Sequence, residues 1–313
     1  MRPLPEQVIH LPFESGPYRM AMDLVSIPEA EWFEFDQHYL PEMAEKRRLL
    51  ATVRAEVFAA TPGSEAARRE ALDLIAANLT EHHPHWFSLE GTGLRNHLTG
   101  DYHCAQLGSC REVDPLERAA CLVQEDLCLI QNTDDGPVLS AAVLCFPSRW
   151  RLLDKIGKPL SAVHGPVPFY QDRLERPVDR FMRHLKPDHI VSRQNWSLLD
   201  DPALFQLGGK WRIDGGSDIA AHNAGSRVFL RVERQTLRKL PASGAVLFGI
   251  RVHVYPVEQA IDRPDRATAL AEAVRALPPD IQHYKSLLPF QAALLNWLDR
   301  RSQEENGATL TVR

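Results

Sequence analysis

The chain has 313 residues, 44% hydrophobic and 25% charged, which is ordinary for a globular protein of one large domain or two modest ones. The formal net charge of -5 argues against nucleic acid or an anionic membrane as the main partner, and no apolar run approaches the roughly 20 residues that cross a bilayer. The N-terminus lacks the apolar segment of a secretory signal, and the five cysteines form no C-x-x-C pair, so we expect a protein of the reducing cytoplasm.

The first part of the chain is predicted to be mainly helical. Apolar residues have helical spacing from about 39 to 61, where Pro41 suits a first turn, and a Thr-Pro-Gly-Ser segment then breaks the pattern. Ser64 is a candidate N-cap for a second helix. Residues 81–111 have the composition of a loop rich in histidine, and a further helix is expected from Asp114 to about Cys121.

The middle of the chain is predicted to form antiparallel strands. Residues 125–131 and 138–146 have the pattern of a hairpin, and a second hairpin lies within 228–255. Pro166–Pro168 is expected to be extended, because proline restricts its own φ and the residue before it. Further helices are predicted at 151–156, 173–185, 266–277 and 280–300, and the tail after about 303 is predicted to be disordered.

The second hairpin carries many polar side chains. Because side chains alternate along a strand, Arg231, Glu233 and Gln235 share one face of the first strand. In the second strand an apolar face opposes a face with Arg251, His253 and Tyr255. Such a polar face is either solvated, with structural Arg–Glu pairs, or it lines a site.

The order of helices, antiparallel strands and helices predicts an α+β fold and disfavours a parallel nucleotide-binding sheet. The sequence contains no G-x-G-x-x-G, P-loop, H-E-x-x-H or G-x-S-x-G motif. His82, His83 and His85 are spaced like a metal tract, but adjacent histidines project differently and no carboxylate partner is obvious, so metal binding there is disfavoured.

His164 is the histidine whose surroundings indicate a fixed orientation. Nearby prolines and Gly165 stiffen its backbone, and its neighbours are apolar, in the segment D-K-I-G-K-P-L-S-A-V-H-G-P-V-P-F-Y. A neutral imidazole on a rigid apolar loop is suited to be the proximal ligand of a haem iron. The alternative is a buried histidine that is hydrogen-bonded to the backbone.

Three strings carry a resemblance to a known family. In chain order they are L-C-F-P-S-R-W-R-L-L-D-K-I-G-K-P-L-S-A-V-H-G-P-V-P, R-Q-N-W-S-L and R-V-E-R-Q-T-L-R-K-L-P-A-S-G-A-V-L-F-G-I-R. From about Trp32 to Leu298 the chain resembles the haem-dependent oxidative N-demethylases, and more narrowly the haem-bearing α subunit of dimethylamine monooxygenase. The resemblance implies a PAS-like antiparallel sheet with flanking helices and a haem pocket on the sheet. It also implies a single domain over 1–313, with helical extensions at about 1–120 and 262–302.

The resemblance implies oxidation of dimethylamine, or a similar small secondary amine, by O2 at a b-type haem, with release of formaldehyde. Electrons would come from NADPH through separate subunits that carry FMN and a [2Fe-2S] cluster, and a folate-binding subunit would take up the formaldehyde. This chain has neither a dinucleotide motif nor clustered cysteines, which fits an electron acceptor that needs a partner reductase.

The motifs also imply roles for single residues. His164 would be the proximal haem ligand, Glu233 would receive the substrate ammonium, and Arg231 would belong to the distal oxygen site or the propionate shell. Other candidates for the propionate shell are Arg149, Lys155 and Arg234, and His222 or His253 is an alternative ligand.

Two other functions stay open at the level of the sequence. One is a haem-binding gas or redox sensor on the same PAS-like core, and the other is a family member that has lost haem and only binds a partner. A signalling output domain is not visible in the sequence, which favours the enzyme. A small amine should shift the haem spectrum and be turned over in an enzyme but not in a sensor.

Overall fold

The computed structural model describes residues 2–104, 113–134, 136–216 and 218–304. These residues form ten strands: β1 (Val25–Ile27), β2 (Phe58–Ala60), β3 (Phe87–Glu90), β4 (Gly93–Asn96), β5 (Tyr102–Cys104), β6 (Asp126–Thr133), β7 (Gly136–Val143), β8 (Ile190–Leu199), β9 (Phe229–Lys239) and β10 (Val246–Pro256).

The same residues form twelve α-helices: α1 (Tyr39–Thr52), α2 (Arg54–Val57), α3 (Glu65–His82), α4 (Pro115–Ala120), α5 (Leu160–Val163), α6 (Tyr170–Arg173), α7 (Glu175–His184), α8 (Ala224–Arg227), α9 (Val257–Ala260), α10 (Pro264–Ala276), α11 (Pro279–Tyr284) and α12 (Gln291–Gln303). Glu29–Glu31 and Leu152–Asp154 are short 3-10 helices. None of the helices in the described ranges has the length and apolar character needed to cross a bilayer.

Seven strands form a central sheet in the order β1-β8-β9-β10-β6-β7-β2, and every neighbouring pair is antiparallel. The five long strands β6 to β10 form its middle, and the short strands β1 and β2 extend its two edges. β3, β4 and β5 form a separate small antiparallel sheet. Helices together with antiparallel sheets confirm the predicted α+β class.

Three hydrophobic clusters of the described residues hold helices against the sheet, and the smallest of them joins α5 and α7 to β6, β9 and β10. The first joins α1, α3 and α4 to β6, β7 and β10, with fully buried Tyr39, Ile75 and Val143 among its members. The second joins α10 and α12 to β8, β9 and β10 through residues such as Leu270 and Leu298. Each fully buried large aliphatic side chain contributes about 1.5–3 kcal/mol to the free energy of burial, so these clusters fix which helices cover the sheet.

The N-terminal region differs from its predicted form in two places. The predicted helix at 39–61 ends early, because Phe58–Ala60 pair with Ala141–Val143 at the sheet edge. Ser64 does precede α3, but its hydroxyl donates to the carbonyl of Thr61 at 2.7 Å and does not cap the helix. The helix predicted from Asp114 to about Cys121 is confirmed as α4, and Asp114 caps it, since its carboxylate accepts from the amide of Leu116 at 2.9 Å.

The segment predicted as a loop at 81–111 contains the small sheet, and its residues 105–112 lie outside the described residues. The prediction of a disordered tail also falls outside them from residue 305 onward. Since five strands precede residue 105, the N-terminal region is not purely helical. The extent of the single domain stays a prediction.

Pro166–Pro168 is a turn and not the extended segment that was predicted. The amide of Val167 donates to the carbonyl of His164 at 2.8 Å. Proline fixes its own φ near a value that occurs both in extended chains and in turns. Contacts with the rest of the fold therefore decided between an extended segment and a turn.

The polar residues of the β9–β10 hairpin lie on opposite faces of the sheet, and neither face is solvated. Glu233 is aligned with Val252, whereas Arg251 is aligned with Arg234. Aligned residues share a face, so Arg231 and Glu233 lie on one side, and Arg251 and His253 lie on the other. Arg231 and Arg251 are fully buried, which shows that both faces are covered.

Gly225 lies in α8 where this helix packs against α12. A Cβ atom at Gly225 would stand 2.5 Å from Cζ2 and 2.6 Å from Cε2 of Trp297. We expect Gly225→Ala to lower the free energy of unfolding by about 1–3 kcal/mol, measured by chemical denaturation, because the indole ring must move out of a packed position. Gly208→Ala is the matched control, since a Cβ there meets no described atom within 4 Å. Equal stability of the two variants would contradict this packing.

Candidate functional site

A cavity of about 1070 Å³ lies against one face of the central sheet. This volume is at the upper end of the roughly 300–1,000 Å³ of small-molecule and cofactor sites. The sheet contributes Phe248 and Ile250, and α5 contributes Leu160 and Val163. The irregular segment 11–25 closes another side. The walls therefore combine apolar side chains with many polar and charged ones.

His164 lies at the C-terminal end of α5 and lines this cavity. Its Nδ1 is 2.9 Å from the carbonyl oxygen of Leu160, and a carbonyl oxygen only accepts, so Nδ1 carries the proton. The phenol ring of Tyr170 stacks on the imidazole with ring centroids 4.5 Å apart. Burial lowers the pKa of His164 to about 4, so the ring is neutral at pH 7. One ring nitrogen held by a carbonyl and the other available as a lone pair is the arrangement of a metal-binding histidine.

Glu233 extends from β9 into the same cavity, and 15% of its side chain is exposed. Its Oε2 accepts from Nε2 of Gln235 at 3.0 Å and from Nδ2 of Asn195 at 3.5 Å. Its Oε1 is 4.0 Å from Nε of Arg231, which is the limit of an ion pair. Two amides thus orient the carboxylate, and it retains capacity to accept a hydrogen bond from a ligand cation.

Three further cations line the cavity, namely Arg193, Lys210 and Lys285. Burial lowers the pKa of all three, and that of Lys285 falls to about 8 even though Glu233 opposes the shift. The Nε atom of Arg193 is buried without a hydrogen-bond partner among the described residues. With Arg19, Arg149 and Lys155 the cavity has six cationic side chains against three carboxylates, and this excess of positive charge favours a ligand with anionic groups.

Arg149 and Lys155 line the cavity as well, but both already have protein partners. The guanidinium of Arg149 lies 2.5 Å from Asp200 and donates to Gln206 at 3.0 Å. The ammonium of Lys155 donates to the carbonyl of Val163. A ligand carboxylate could still share these donors, since an ammonium has three and a guanidinium five.

Arg231 and Arg234 do not line the cavity. Arg231 is fully buried and donates to the carbonyl of Phe146 at 2.5 Å. Arg234 is on the opposite face of the sheet, where its guanidinium donates to the carbonyl of Trp32 and lies 3.1 Å from Glu34. Adjacent residues of a strand point to opposite faces, so Arg234, which the sequence offered as a propionate candidate, faces away from the cavity that Glu233 enters.

The alternative histidines also lie away from the cavity. His222 is exposed in a turn. His253 is buried on the far face, where its ring nitrogens lie 3.3 Å from Gln7 and 3.0 Å from Glu34. In the 82–85 tract, His83 stacks on Trp86, and the described residues show no group of metal ligands there.

Sequence reasoning missed several cavity residues. Arg193 and Asn195 stand at alternate positions of β8 and face the cavity beside Gln235 and Glu233, so the strand periodicity of R-Q-N-W-S-L was a usable signal. Lys210, Lys285 and the segment 11–25 come from irregular parts of the chain, where no periodic pattern predicts a direction.

A family model described as "Haem-dependent oxidative N-demethylase, alpha subunit-like" matches residues 23–295. The match covers most of the chain and includes every strand of the central sheet, as well as His164 and Glu233.

Proposed function

This chain belongs to the haem-dependent oxidative N-demethylase, alpha subunit-like family, and on that basis we propose that its cavity holds a b-type haem at which a small secondary amine is demethylated. The amine we propose is dimethylamine or a close relative, with O2 as oxidant and formaldehyde as product. The family description implies a multi-subunit complex. The identity of the other subunits belongs to the proposal.

The observation that carries the proposal is the state of His164. It is a neutral imidazole on the wall of a large cavity, with Nδ1 fixed by the carbonyl of Leu160. That hydrogen bond selects the tautomer whose Nε2 is free to bind iron, and the stacked Tyr170 limits rotation of the ring. His164 is the histidine that would hold the haem.

The charges of the cavity fit a haem. Its porphyrin would face apolar residues such as Phe248 and Leu160, and its propionates would meet cations. Arg193, with its unpartnered Nε, is the first candidate for a propionate, and Lys155 and Lys210 are further ones. When bound, the haem would supply the activation of O2 and the oxidation of the N-methyl carbon, and the protein would supply orientation and polarity.

Glu233 is the candidate for binding the substrate. A secondary amine is protonated at neutral pH, and its ammonium would donate to the carboxylate that Gln235 and Asn195 orient. We assign Arg231 a positioning role behind Glu233, because it is fully buried and its Nε lies 4.0 Å from Oε1. The segment 11–25 would exclude bulk water from the amine.

Electrons for the reaction would come from outside this chain. We propose that NADPH, FMN and a [2Fe-2S] cluster belong to partner reductase subunits, and that a folate-binding subunit takes up the formaldehyde. The absence of dinucleotide and clustered-cysteine motifs from the sequence supports this division of labour.

A PAS-like core is also part of the proposal. In chain order the five long strands are β6, β7, β8, β9 and β10, and in the sheet they lie in the order β7, β6, β10, β9, β8. The short helices α5, α6 and α7 follow β7 and form the cavity wall opposite the sheet. The connection through α5, α6 and α7 thus links β7 and β8, which lie at opposite ends of the five long strands. This crossover supports the PAS-like description.

The test of the function is the absorption spectrum of the purified full chain, expressed with a haem precursor, before and after addition of dimethylamine. We expect a Soret band that shifts with the amine, and turnover when a reductase is supplied. A Soret band that does not shift when dimethylamine is added would favour a haem sensor or an enzyme with a different substrate. Absence of haem would overturn the proposal in favour of a partner-binding protein.

For Glu233→Gln we expect haem to be retained and the affinity for dimethylamine to fall by about 2 kcal/mol, roughly 30-fold, which is the scale of a lost charge-assisted contact. The measurement is the spectral titration with dimethylamine. Glu272→Gln removes one carboxylate from the exposed face of α10 and is the control for net charge. Equal amine affinity in the wild type and Glu233→Gln would remove Glu233 as the substrate carboxylate.

A further inference from the structure

Three potential metal ligands meet on the face of the sheet that is turned away from the cavity. His10 comes from the N-terminal segment, Glu34 from the connection before α1, and His253 from β10. One ligand atom of each residue lies within 4.8 Å of the others. Among the residues that the structure describes, this is the one group of three or more histidine, cysteine or carboxylate side chains with such spacing.

The distances suit a small divalent ion. Oε2 of Glu34 is 3.0 Å from Nε2 of His253 and 3.3 Å from Nε2 of His10. Ligand atoms held at roughly 2.0–2.2 Å around a tetrahedral Zn²⁺ stand about 3.3–3.5 Å apart, which is close to both carboxylate–imidazole distances. The ligand atoms of the two imidazoles lie within 4.8 Å of each other and would move closer together when an ion binds. Two histidines and one carboxylate leave a position for water, and Glu34, with 26% of its side chain exposed, connects the group to solvent.

The surroundings of these residues resemble the outer shell of a metal site. Gln194 lies 2.9 Å from Nδ1 of His10, and Gln7 lies 3.3 Å from Nδ1 of His253. In both contacts the amide nitrogen of the glutamine donates to Nδ1. Each amide would therefore rotate to present its carbonyl oxygen when the proton moves to Nδ1 and Nε2 becomes a ligand.

The local charges are close to balanced. Arg234 binds the other oxygen of Glu34, with Nε 3.1 Å from Oε1, and so leaves Oε2 to the histidines. Arg251 lies near, but its guanidinium is paired with Asp36 at 2.6 Å and with Glu42 at 2.9 Å. A divalent ion would therefore meet carboxylates as well as guanidinium groups.

We propose that His10, Glu34 and His253 bind a divalent transition-metal ion such as Zn²⁺, and that this ion fastens the N-terminal segment to the sheet. His10 stands directly before the residues 11–25 that close the cavity. The hydroxyl of Tyr255 donates to the carbonyl of Val8 at 2.6 Å, and Phe13 is buried beside Trp196, so His10 lies between two existing anchors. The ion would make the closed position of the segment more stable than these contacts alone.

The first test is binding of Zn²⁺ to the purified full chain after removal of metals, measured by competition with a chromophoric chelator. We expect one equivalent to bind to the wild type. In His10→Ala and Glu34→Gln we expect the affinity for Zn²⁺ to fall by more than about 100-fold. Gln7→Ala, which changes only a neighbour of a ligand, is the comparison, and there we expect the smaller loss of about 10–100-fold that is typical of outer-shell changes. His222→Ala, which removes an exposed histidine elsewhere on the chain, should keep the wild-type affinity.

The second readout is proteolysis within residues 11–25. We expect Zn²⁺ to slow cleavage of this segment in the wild type and to have no effect in His10→Ala. If the wild type binds no stoichiometric Zn²⁺, the three residues are only a hydrogen-bonded contact and the proposal is wrong. Unchanged Zn²⁺ affinity in both His10→Ala and Glu34→Gln would also overturn it, because the ion would then be bound elsewhere.

Discussion

His164→Ala is expected to yield a folded protein that does not retain haem. Of the histidines considered as haem ligands, His164 is the one that lines the cavity, and its Nε2 is free. The substitution removes this ring and leaves the other cavity walls in place. The haem would then be bound only through contacts with its porphyrin ring and its propionates. The measurement is the Soret absorbance per chain, together with circular dichroism to verify the fold.

Two further measurements make this result specific to ligation. Added imidazole should enter the space left by the missing ring and restore the Soret band, because a free imidazole can replace the lost ligand. His222→Ala removes an exposed histidine outside the cavity and should retain haem fully. An intact Soret band in His164→Ala without imidazole would show that another residue binds the iron.

Arg251→Met is expected to cost roughly 3–5 kcal/mol of the free energy of unfolding, the scale for removing one partner of a buried ion pair. Arg251 is fully buried, and its guanidinium contacts Asp36 and Glu42, which are nearly as buried. Without Arg251 these carboxylates keep amide donors such as Gln124 but lose their cation. Urea denaturation followed by fluorescence measures the loss.

The comparison is with Arg275→Met, which removes an exposed ion pair between α10 and α12. An exposed pair is worth about 0–1 kcal/mol, because water and salt screen it and the long side chains lose entropy on pairing. If Arg251→Met were no more destabilising than Arg275→Met, the buried cluster would not depend on its guanidinium. Comparison of the two variants therefore shows how much the burial of an ion pair changes its contribution to the free energy of unfolding.

The two faces of the β9–β10 hairpin have different roles. The far face buries Arg234, Arg251 and His253 against carboxylates, which anchors the sheet to the chain around residues 31–42. The near face presents Glu233 and Gln235 to the cavity. Anchoring of the far face keeps the strand fixed, so that Gln235 and Asn195 can orient the Glu233 carboxylate on the near face.

Local patterns predicted the elements that depend on local physics. The apolar runs of β6 and β7 around a turn-rich link, the alternation in β9 and β10 and the helical spacing in α1, α3 and α10 were sufficient, because these patterns depend on neighbouring residues. The same reasoning overextended the first helix, since only the sheet edge next to Val143 explains why Phe58–Ala60 become a strand. It also treated the small sheet β3–β5 as a loop, because strands of three or four residues have too few positions for a period to appear.

The sequence by itself determined the α+β class and the family, because motifs and short-range periodicity are properties of neighbouring residues. It also singled out His164 and Glu233, whose roles stay proposals. Only the tertiary structure decided that Arg231 lies behind Glu233, that Arg234 faces away, and that Arg193 and segment 11–25 complete the cavity. It also brought Gln7 to His253, 246 residues away. Such contacts follow from strand register and from burial across the whole chain, and no local pattern specifies which distant residues will meet.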